Sequence, residues 1–181
     1  MYVIFFKRIV DFFLALCAFP FFCVIFIILA PFYFFMDRGP MFYSGMRLGR
    51  HGKPFPMHKF RSMRVNAPDI RLQDGSTYNG EDDPRVTKLG KFIRKTSLDE
   101  IPQILNGDMS VIGPRPDPLD WLDKYKEEEK VFLEVRPGIT GYNQAYFRNS
   151  VDAQEKIKND VYYAKNISFV LDVKIVLKTI K

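Results

Sequence analysis

No charged residue occurs between Phe12 and Met36. That uncharged run of 25 residues is long enough to enter or cross the ~30 Å hydrocarbon core of a bilayer. Backbone placed in lipid has to satisfy its own hydrogen bonds, so the run is read as helix. It is too long for the apolar part of a signal peptide and has no clear small-x-small cleavage site. Pro20 lies near its middle and Pro31 near its end. Each proline removes a backbone donor and crowds the preceding turn, so each marks a kink or a break.

Charge then constrains topology. Lys7 and Arg8 precede the run, and the sequence from Asp37-Arg38 onward is rich in Lys and Arg. Positive charge favours the cytoplasmic side at both ends. A single span would separate the ends, with the downstream part exported. A helix that enters, bends at Pro20 and leaves on the same side keeps them together, and this re-entrant reading is preferred. It places a membrane segment at 1–37 and a cytoplasmic domain at 38–181.

Composition narrows the partners. A net charge of +6 favours a polyanion: nucleic acid, a nucleotide-linked substrate or anionic lipid. Most of the 18 phenylalanines fall in the first 43 residues, so the mean composition hides two regions. Cys17 and Cys23 both lie in the apolar run, which argues against a disulfide framework or a zinc site. His51 and His58 sit in a Gly/Pro-rich stretch without the further ligands a metal needs.

Residues 37–65 carry Gly39-Pro40, Gly45, Gly49, Gly52, Pro54 and Pro56, which suit short strands and turns. Residues 66–84 are polar and read as a long surface loop. Over 86–95, Leu89, Phe92 and Ile93 fall on one helical face among Lys88, Lys91, Arg94 and Lys95, a short basic amphipathic helix. Residues 118–134 read as a charged surface helix, ended by a tight loop at Arg136-Pro137-Gly138. A helix pair is expected near 152–165 and 168–180, broken at Asn166 and capped by Ser168.

The chemistry concentrates in Ser97-Leu98-Asp99-Glu100 and, downstream, Gly113-Pro114-Arg115-Pro116. Ser97 with Glu100 matches a helix capping box. Pro102 opposes that register, because its missing N–H would face Leu98. A start near Asp99 puts Pro102 in the first turn, where proline is tolerated, and leaves two carboxylates at a helix N-terminus. A carboxylate approaching a pyrophosphate meets like charge, costing about 4 kcal/mol per unit pair at ~4 Å and an effective dielectric of 20. Cations must offset this. Asp99 and Glu100 are oxygen ligands suited to Mg2+. Arg115, held between prolines, can present a bidentate fork to a phosphate. Lys59, Arg61, Arg85, Arg94 and Arg136 are further phosphate-binding candidates. Tyr142, Asn143, Gln144 and Arg148 sit in a loop at 142–150 that can shape a donor pocket, with Gln144 taken as a substrate-binding candidate.

Taken in order, these motifs resemble the bacterial sugar transferases, the small monotopic phosphoglycosyl transferases. The likeness runs through Lys7, Arg8 and Asp11; Lys59-Phe60-Arg61-Ser62-Met63; Asp83-Pro84-Arg85-Val86-Thr87; Ser97-Leu98-Asp99-Glu100; Gly107-Asp108-Met109-Ser110; Gly113-Pro114-Arg115-Pro116; Arg136-Pro137-Gly138-Ile139-Thr140-Gly141; Asp160-Val161-Tyr162-Tyr163; and Leu171-Asp172. The resemblance implies transfer of a sugar-1-phosphate from a UDP-sugar to polyprenyl phosphate, usually undecaprenyl phosphate, with release of UMP. It implies attack by Asp99, a covalent phosphosugar intermediate and assistance from Glu100 through Mg2+ or as proton acceptor. It also implies a helix-dominated α+β fold: an N-terminal re-entrant helix, amphipathic interface helices and a small catalytic lobe on the cytoplasmic face of the bacterial inner membrane. Membrane lipids are expected partners and nucleic acid is not. Two departures stand out. Phe19-Pro20 replaces the family's usual Ser-Pro bend. About three residues are missing between Asn106 and Gly107, which makes a shift of Arg115 relative to Asp99 the expectation. A non-catalytic membrane-surface module using its basic helices is the alternative reading.

Overall fold

The computed structural model describes all residues except Met1, 73–77, Asn79, Glu81, Asn149 and Lys181, and leaves the side chains of Val3, Ile4 and Ile180 undescribed. The apolar run forms one helix, α1 (Lys7–Phe32), with a π-helical turn at either end (Tyr2–Phe6 and Tyr33–Asp37). The helix continues through Pro20 without interruption. A single absent N–H removes one rung, which a long helix can accommodate locally.

One face of α1 rests on the rest of the protein. Near its start, Lys7 Nζ donates to Asp172 Oδ2 and to the Tyr163 hydroxyl. Asp11 Oδ1 accepts from Ser110 Oγ and Val111 N, both at 3.0 Å. Near its end, Leu29 and Tyr33 pack with Phe60, Leu89 and Ile93. Phe22 stacks on Phe60 at 5.9 Å and 11°. The Tyr33 hydroxyl donates to the Arg61 carbonyl at 2.6 Å. The other face is bare of protein: Phe12, Phe13, Leu16, Phe21, Ile27 and Ile28 are all exposed. By length and composition α1 is a helix able to cross a membrane.

Residues 37–65 deliver the expected strands, β1 (Phe42–Leu48) and β2 (Pro54–Phe60), paired antiparallel from Phe42↔Phe60 to Leu48↔Pro54. Alternation puts Phe55 and Met57 on one face, packed with Met109, and Phe60 on the other, packed under the end of α1. The basic helix α2 (Lys88–Lys95) is capped by Thr87, whose Oγ1 accepts from Gly90 N. Its buried side consists of Leu89, Gly90 and Ile93, while Phe92 is exposed.

The region 118–134 departs from the expected single helix. It forms two 3-10 segments, Leu119–Lys124 and Lys130–Glu134. Tyr125 between them is extended, and its hydroxyl donates to Asp117. Lys126 N bonds the Glu129 carboxylate in place of a helical carbonyl, a local competition typical of acidic side chains. Trp121, Tyr125, Phe132 and Leu133 are thereby driven into a core with Leu48 and Ile157.

The stretch read as a tight loop at Gly138 is instead a strand. β3 (Ser110–Ile112) and β4 (Gly138–Thr140) pair in parallel. They approach closely because glycine occupies the contact points. A Cβ on Gly138 would lie 2.0 Å from Gly113 N, and one on Gly141 2.1 Å from Gly113 O. Gly138→Ala is therefore expected to lower stability by about 3 kcal/mol, read as a lowered melting temperature. An unchanged melting curve would show that these strands do not cross so tightly.

A short helix α3 (Tyr142–Tyr146) follows, then α4 (Ala153–Asn166) and α5 (Phe169–Ile180). Asp152 caps α4 through Glu155 N, and Ser168 Oγ accepts from Leu171 N as its N-cap position requires. Ile175 and Tyr163 anchor the pair to Ile112 and Val135. Phe169, Val170, Val173 and Leu177 remain exposed on α5.

Candidate active site

Asp99 and Glu100 lie on a 3-10 helix, Leu98–Leu105, that packs on β2 and on the end of α2. Ser97 precedes it at φ 56° and makes no side-chain cap. The capping box does not form, because Glu100 turns away from Ser97 toward stronger partners. Its Oε1 accepts from Lys59 Nζ at 2.9 Å and from Arg115 Nη2, and its Oε2 from Arg115 Nη1 at 3.2 Å. Ion pairs outcompete a neutral cap. Pro102 sits inside this helix.

The two neighbouring carboxylates are thereby made unlike. Burial alone raises the Glu100 pKa, but the hydrogen bonds and charge of Arg115, joined by Lys59, bring it down to about 2. Asp99 is 7% exposed. Its pKa is raised, chiefly by burial and further by Glu100, against the opposing charges of Lys59 and Arg94. Among the described residues no other side chain hydrogen-bonds the Asp99 carboxylate. Burial and Arg115 also lower the Lys59 pKa, which the two carboxylates partly restore. One carboxylate is locked as an anion; its neighbour is buried and, among the described residues, carries no side-chain hydrogen bond.

The structure sorts the basic candidates. Lys59 and Arg115 meet at Glu100. Arg94 stays beside the pair, its Nε donating to Ser62 Oγ at 2.8 Å. Arg61 does not reach the carboxylates: it donates to the carbonyls of Pro40, Met63 and Asp37 and lies over the Tyr33 ring. Arg85 does not either; it is buried on Asp83 and binds the carbonyls of Pro68 and Tyr78, which pins part of the 66–84 loop. Those guanidiniums organise backbone. Arg136 lies elsewhere, with Nη1 on the Gly107 carbonyl at 2.5 Å. Gln144 keeps both amide atoms buried without a hydrogen-bond partner, as does Gln103 on the 3-10 helix itself. Such atoms mark places where a polar group is missing. Gln103 was not distinguished in the sequence, where an amide between apolar residues looks unremarkable.

Across the turn after Asn106, Arg115 still reaches Glu100. Asn106 turns the chain tightly: its carbonyl accepts from Met109 N and its Oδ1 from Asp108 N, while its Nδ2 binds the Pro56 carbonyl. Among the described residues no group of three or more His, Cys, Asp or Glu side chains converges as a self-sufficient metal site.

Comparison with known proteins identifies the family. The family model for bacterial sugar transferases matches residues 2–181, and the chain belongs to that family. It is 46% identical over 156 residues to the galactosyl transferase CpsE of Streptococcus agalactiae serotype III, covering 80% of this chain and 35% of the relative. It is 42% identical over 159 residues to the undecaprenyl-phosphate galactose phosphotransferase of Salmonella typhimurium, covering 80% and 33%. It is 39% identical over 186 residues to the UDP-N-acetylgalactosamine-undecaprenyl-phosphate N-acetylgalactosaminephosphotransferase of Aeromonas hydrophila, covering 98% and 43%. The chain thus spans a third to two fifths of the length of these curated relatives.

Proposed function

We propose that this bacterial sugar transferase moves a sugar-1-phosphate from a UDP-sugar to undecaprenyl phosphate, or another polyprenyl phosphate, in two displacements on Asp99. A carboxylate oxygen of Asp99 attacks the β-phosphorus of the donor. The bond to the bridging oxygen breaks, UMP leaves, and a phosphosugar-aspartate forms. A phosphate oxygen of the lipid then attacks the same phosphorus, frees Asp99 and leaves a polyprenyl diphosphosugar. The observation that carries this reading is the unequal pair: Asp99 buried with no side-chain donor on its carboxylate, beside Glu100 held ionised by Arg115 and Lys59. Dividing one hard transfer into two is what a carboxylate nucleophile contributes. Positioning and charge neutralisation do most of the remaining work in phosphoryl transfer.

Mg2+ fits the donor set. Both side chains are hard oxygen ligands, Glu100 stays anionic, and the ion characteristically completes its shell with water and phosphate oxygens. Asp99 and the remaining lone pairs of Glu100 would hold it. When bound, it neutralises charge on the pyrophosphate. Arg115 and Lys59 orient Glu100, and Arg94 adds positive charge beside Asp99.

Placement at a membrane follows from α1. Its start is bonded to α5 and β3, and its end to β2 and α2. A helix crossing ~30 Å of hydrocarbon would leave only one end beside a lobe on one side. This supports a re-entrant membrane segment at 1–37, with the domain at 38–181 on the cytoplasmic face of the inner membrane, where a soluble donor can meet a lipid acceptor.

The test is UMP release from a panel of UDP-sugars with undecaprenyl phosphate and Mg2+. UDP-galactose and UDP-N-acetylgalactosamine come first, given the sugars in the relatives' names. One donor is expected to give acceptor-dependent UMP, stopped by EDTA and restored by Mg2+. Release from no sugar would refute the proposal and favour the non-catalytic membrane-surface module; equal release by Asp99→Asn would refute Asp99 as the nucleophile.

A further inference from the structure

Beside β3 and the start of α1, three guanidiniums gather with Lys7 around a cavity of about 80 Å³ that neither Asp99 nor Glu100 lines. That is several times the roughly 10–15 Å³ one water needs. Arg8 comes from the first turn of α1, Arg50 from the β1–β2 turn and Arg136 from the approach to β4. Arg8 Nη2 and Arg136 Nη1 donate to the same carbonyl, Gly107 O, at 3.3 and 2.5 Å. Two like charges therefore share one oxygen. Arg50 Nε donates to the Glu134 carbonyl at 2.8 Å.

Counter-charge is scarce there. Asp11 Oδ2 lies 3.8 Å from Arg8 Nη1, too far for a hydrogen bond, while its Oδ1 accepts from Ser110 and Val111. The Glu134 carboxylate also borders the cavity but is turned onto His51 Nδ1 at 3.0 Å. Among the described residues no carboxylate comes within 4.0 Å of Arg50 or Arg136. The pKa of Arg136 is lowered by burial and then by Arg8 and Arg50, against the weaker opposing pull of Asp108 and Asp11. Each guanidinium retains unused N–H donors in a geometry that suits phosphate oxygens.

The surroundings say what kind of phosphate. Ile9, Val10, Phe12 and Phe13, next to Arg8 along α1, are exposed. Ile167 borders the cavity and leads into the exposed Phe169 and Val170 of α5. Bare apolar surface on both flanks fits acyl or prenyl chains and has no use for a free ion. Asp11 Oδ2 is buried without a hydrogen-bond donor, which suits a hydroxyl carried on a head group.

We propose that Arg8, Arg50 and Arg136 form a second anion site, which seats a lipid-borne phosphate at the membrane-facing edge of the lobe. This goes beyond the transfer reaction and does not depend on it, since neither Asp99 nor Glu100 takes part.

Native mass spectrometry of the full chain, released from phosphate-free maltoside micelles, tests it. The probes are phosphatidylglycerol, farnesyl phosphate and inorganic phosphate. Wild type is expected to retain one phosphatidylglycerol, and Arg50→Ala to weaken retention about tenfold or more. Arg50→Lys keeps the charge but loses the fork, so a loss of about threefold is expected; it reads the same site if the alanine variant does not fold. Asp99→Asn is expected to bind lipid as wild type does, even if it abolishes transfer, which separates failure of this site from failure of the catalytic reading. Preferential, Arg50-dependent retention of farnesyl phosphate would also support the site and identify the acceptor lipid as its source. Retention of inorganic phosphate alone, or lipid retention unchanged in both Arg50 variants, would overturn it.

Discussion

Asp99→Asn is expected to lower sugar-phosphate transfer by about a thousandfold or more, while raising the melting temperature near neutral pH. Asparagine keeps the shape of the side chain but has no anionic oxygen to attack phosphorus, so no phosphosugar adduct can form. In wild type, donor without acceptor should leave a chain heavier by one phosphosugar, and the variant should show no such mass. The stability gain follows from the sign of the Asp99 shift. Burial, reinforced by Glu100, raises its folded-state pKa against the pull of Lys59 and Arg94. A group raised on folding contributes stability below its unfolded pKa and loses it as pH rises through its folded pKa. As pH rises through that pKa wild type loses this contribution, and asparagine, which cannot ionise, does not. The gap between the two melting curves should narrow as pH falls through the carboxylate range. A variant that keeps a tenth of wild-type activity would sink the nucleophile assignment. One that melts lower at neutral pH would show the Asp99 charge to be favourably held.

That combination, a residue that destabilises the fold where activity needs it, is a familiar trade between stability and function. It also explains what the sequence could and could not reveal. The apolar helix was legible because absence of charge over a long run has few meanings. The β1–β2 hairpin was legible from its glycines and prolines, and the α4–α5 pair from Asn166 and Ser168. Long-range choices were not. On α2, Leu89, Phe92 and Ile93 share a face by periodicity, yet Phe92 is exposed. The buried arc is rotated because Gly90 docks its bare backbone against Ser62, where a Cβ would lie 1.8 Å from the Ser62 carbonyl. At Ser97-Glu100 a sound local pattern lost to Lys59 and Arg115, 41 and 15 positions away from Glu100. Arg61 and Arg85 look like any other cation in a motif, and only the structure shows their forks closed on carbonyls and, for Arg85, on Asp83 as well. The β3–β4 pair is three residues long on each side, too short for any alternation to show. Arg50 carries no local mark at all, since its relation to Arg8 and Arg136 exists only after folding.

Arg115→Ala should have the second largest effect, about a hundredfold or more in transfer rate, because it alters both charge and geometry at Glu100. In the intact protein, burial works against ionisation of Glu100, and Arg115 with Lys59 reverses it. Without Arg115, Lys59 alone opposes burial, so the Glu100 pKa should move up from about 2. The sign for stability is opposite to that of Asp99. A depressed folded pKa contributes stability above the unfolded value, roughly 4.3 for glutamate, and that stability is lost as pH falls through about 2. Arg115→Ala should therefore destabilise at neutral pH and cost little at strongly acid pH. The Arg115 side chain is 35% exposed, so solvent screening reduces the loss to about 1–2 kcal/mol, below that of a fully buried pair. Arg115→Lys restores charge without the fork and should recover stability better than rate, because bidentate geometry is what holds Glu100 in register with Asp99. A double-mutant cycle with Glu100→Gln measures the pair directly: if the two side chains act through each other, the double variant should be scarcely slower than the slower single one. Additive losses would instead mean that Arg115 meets the substrate phosphate on its own, and wild-type activity in Arg115→Ala would remove it from the site.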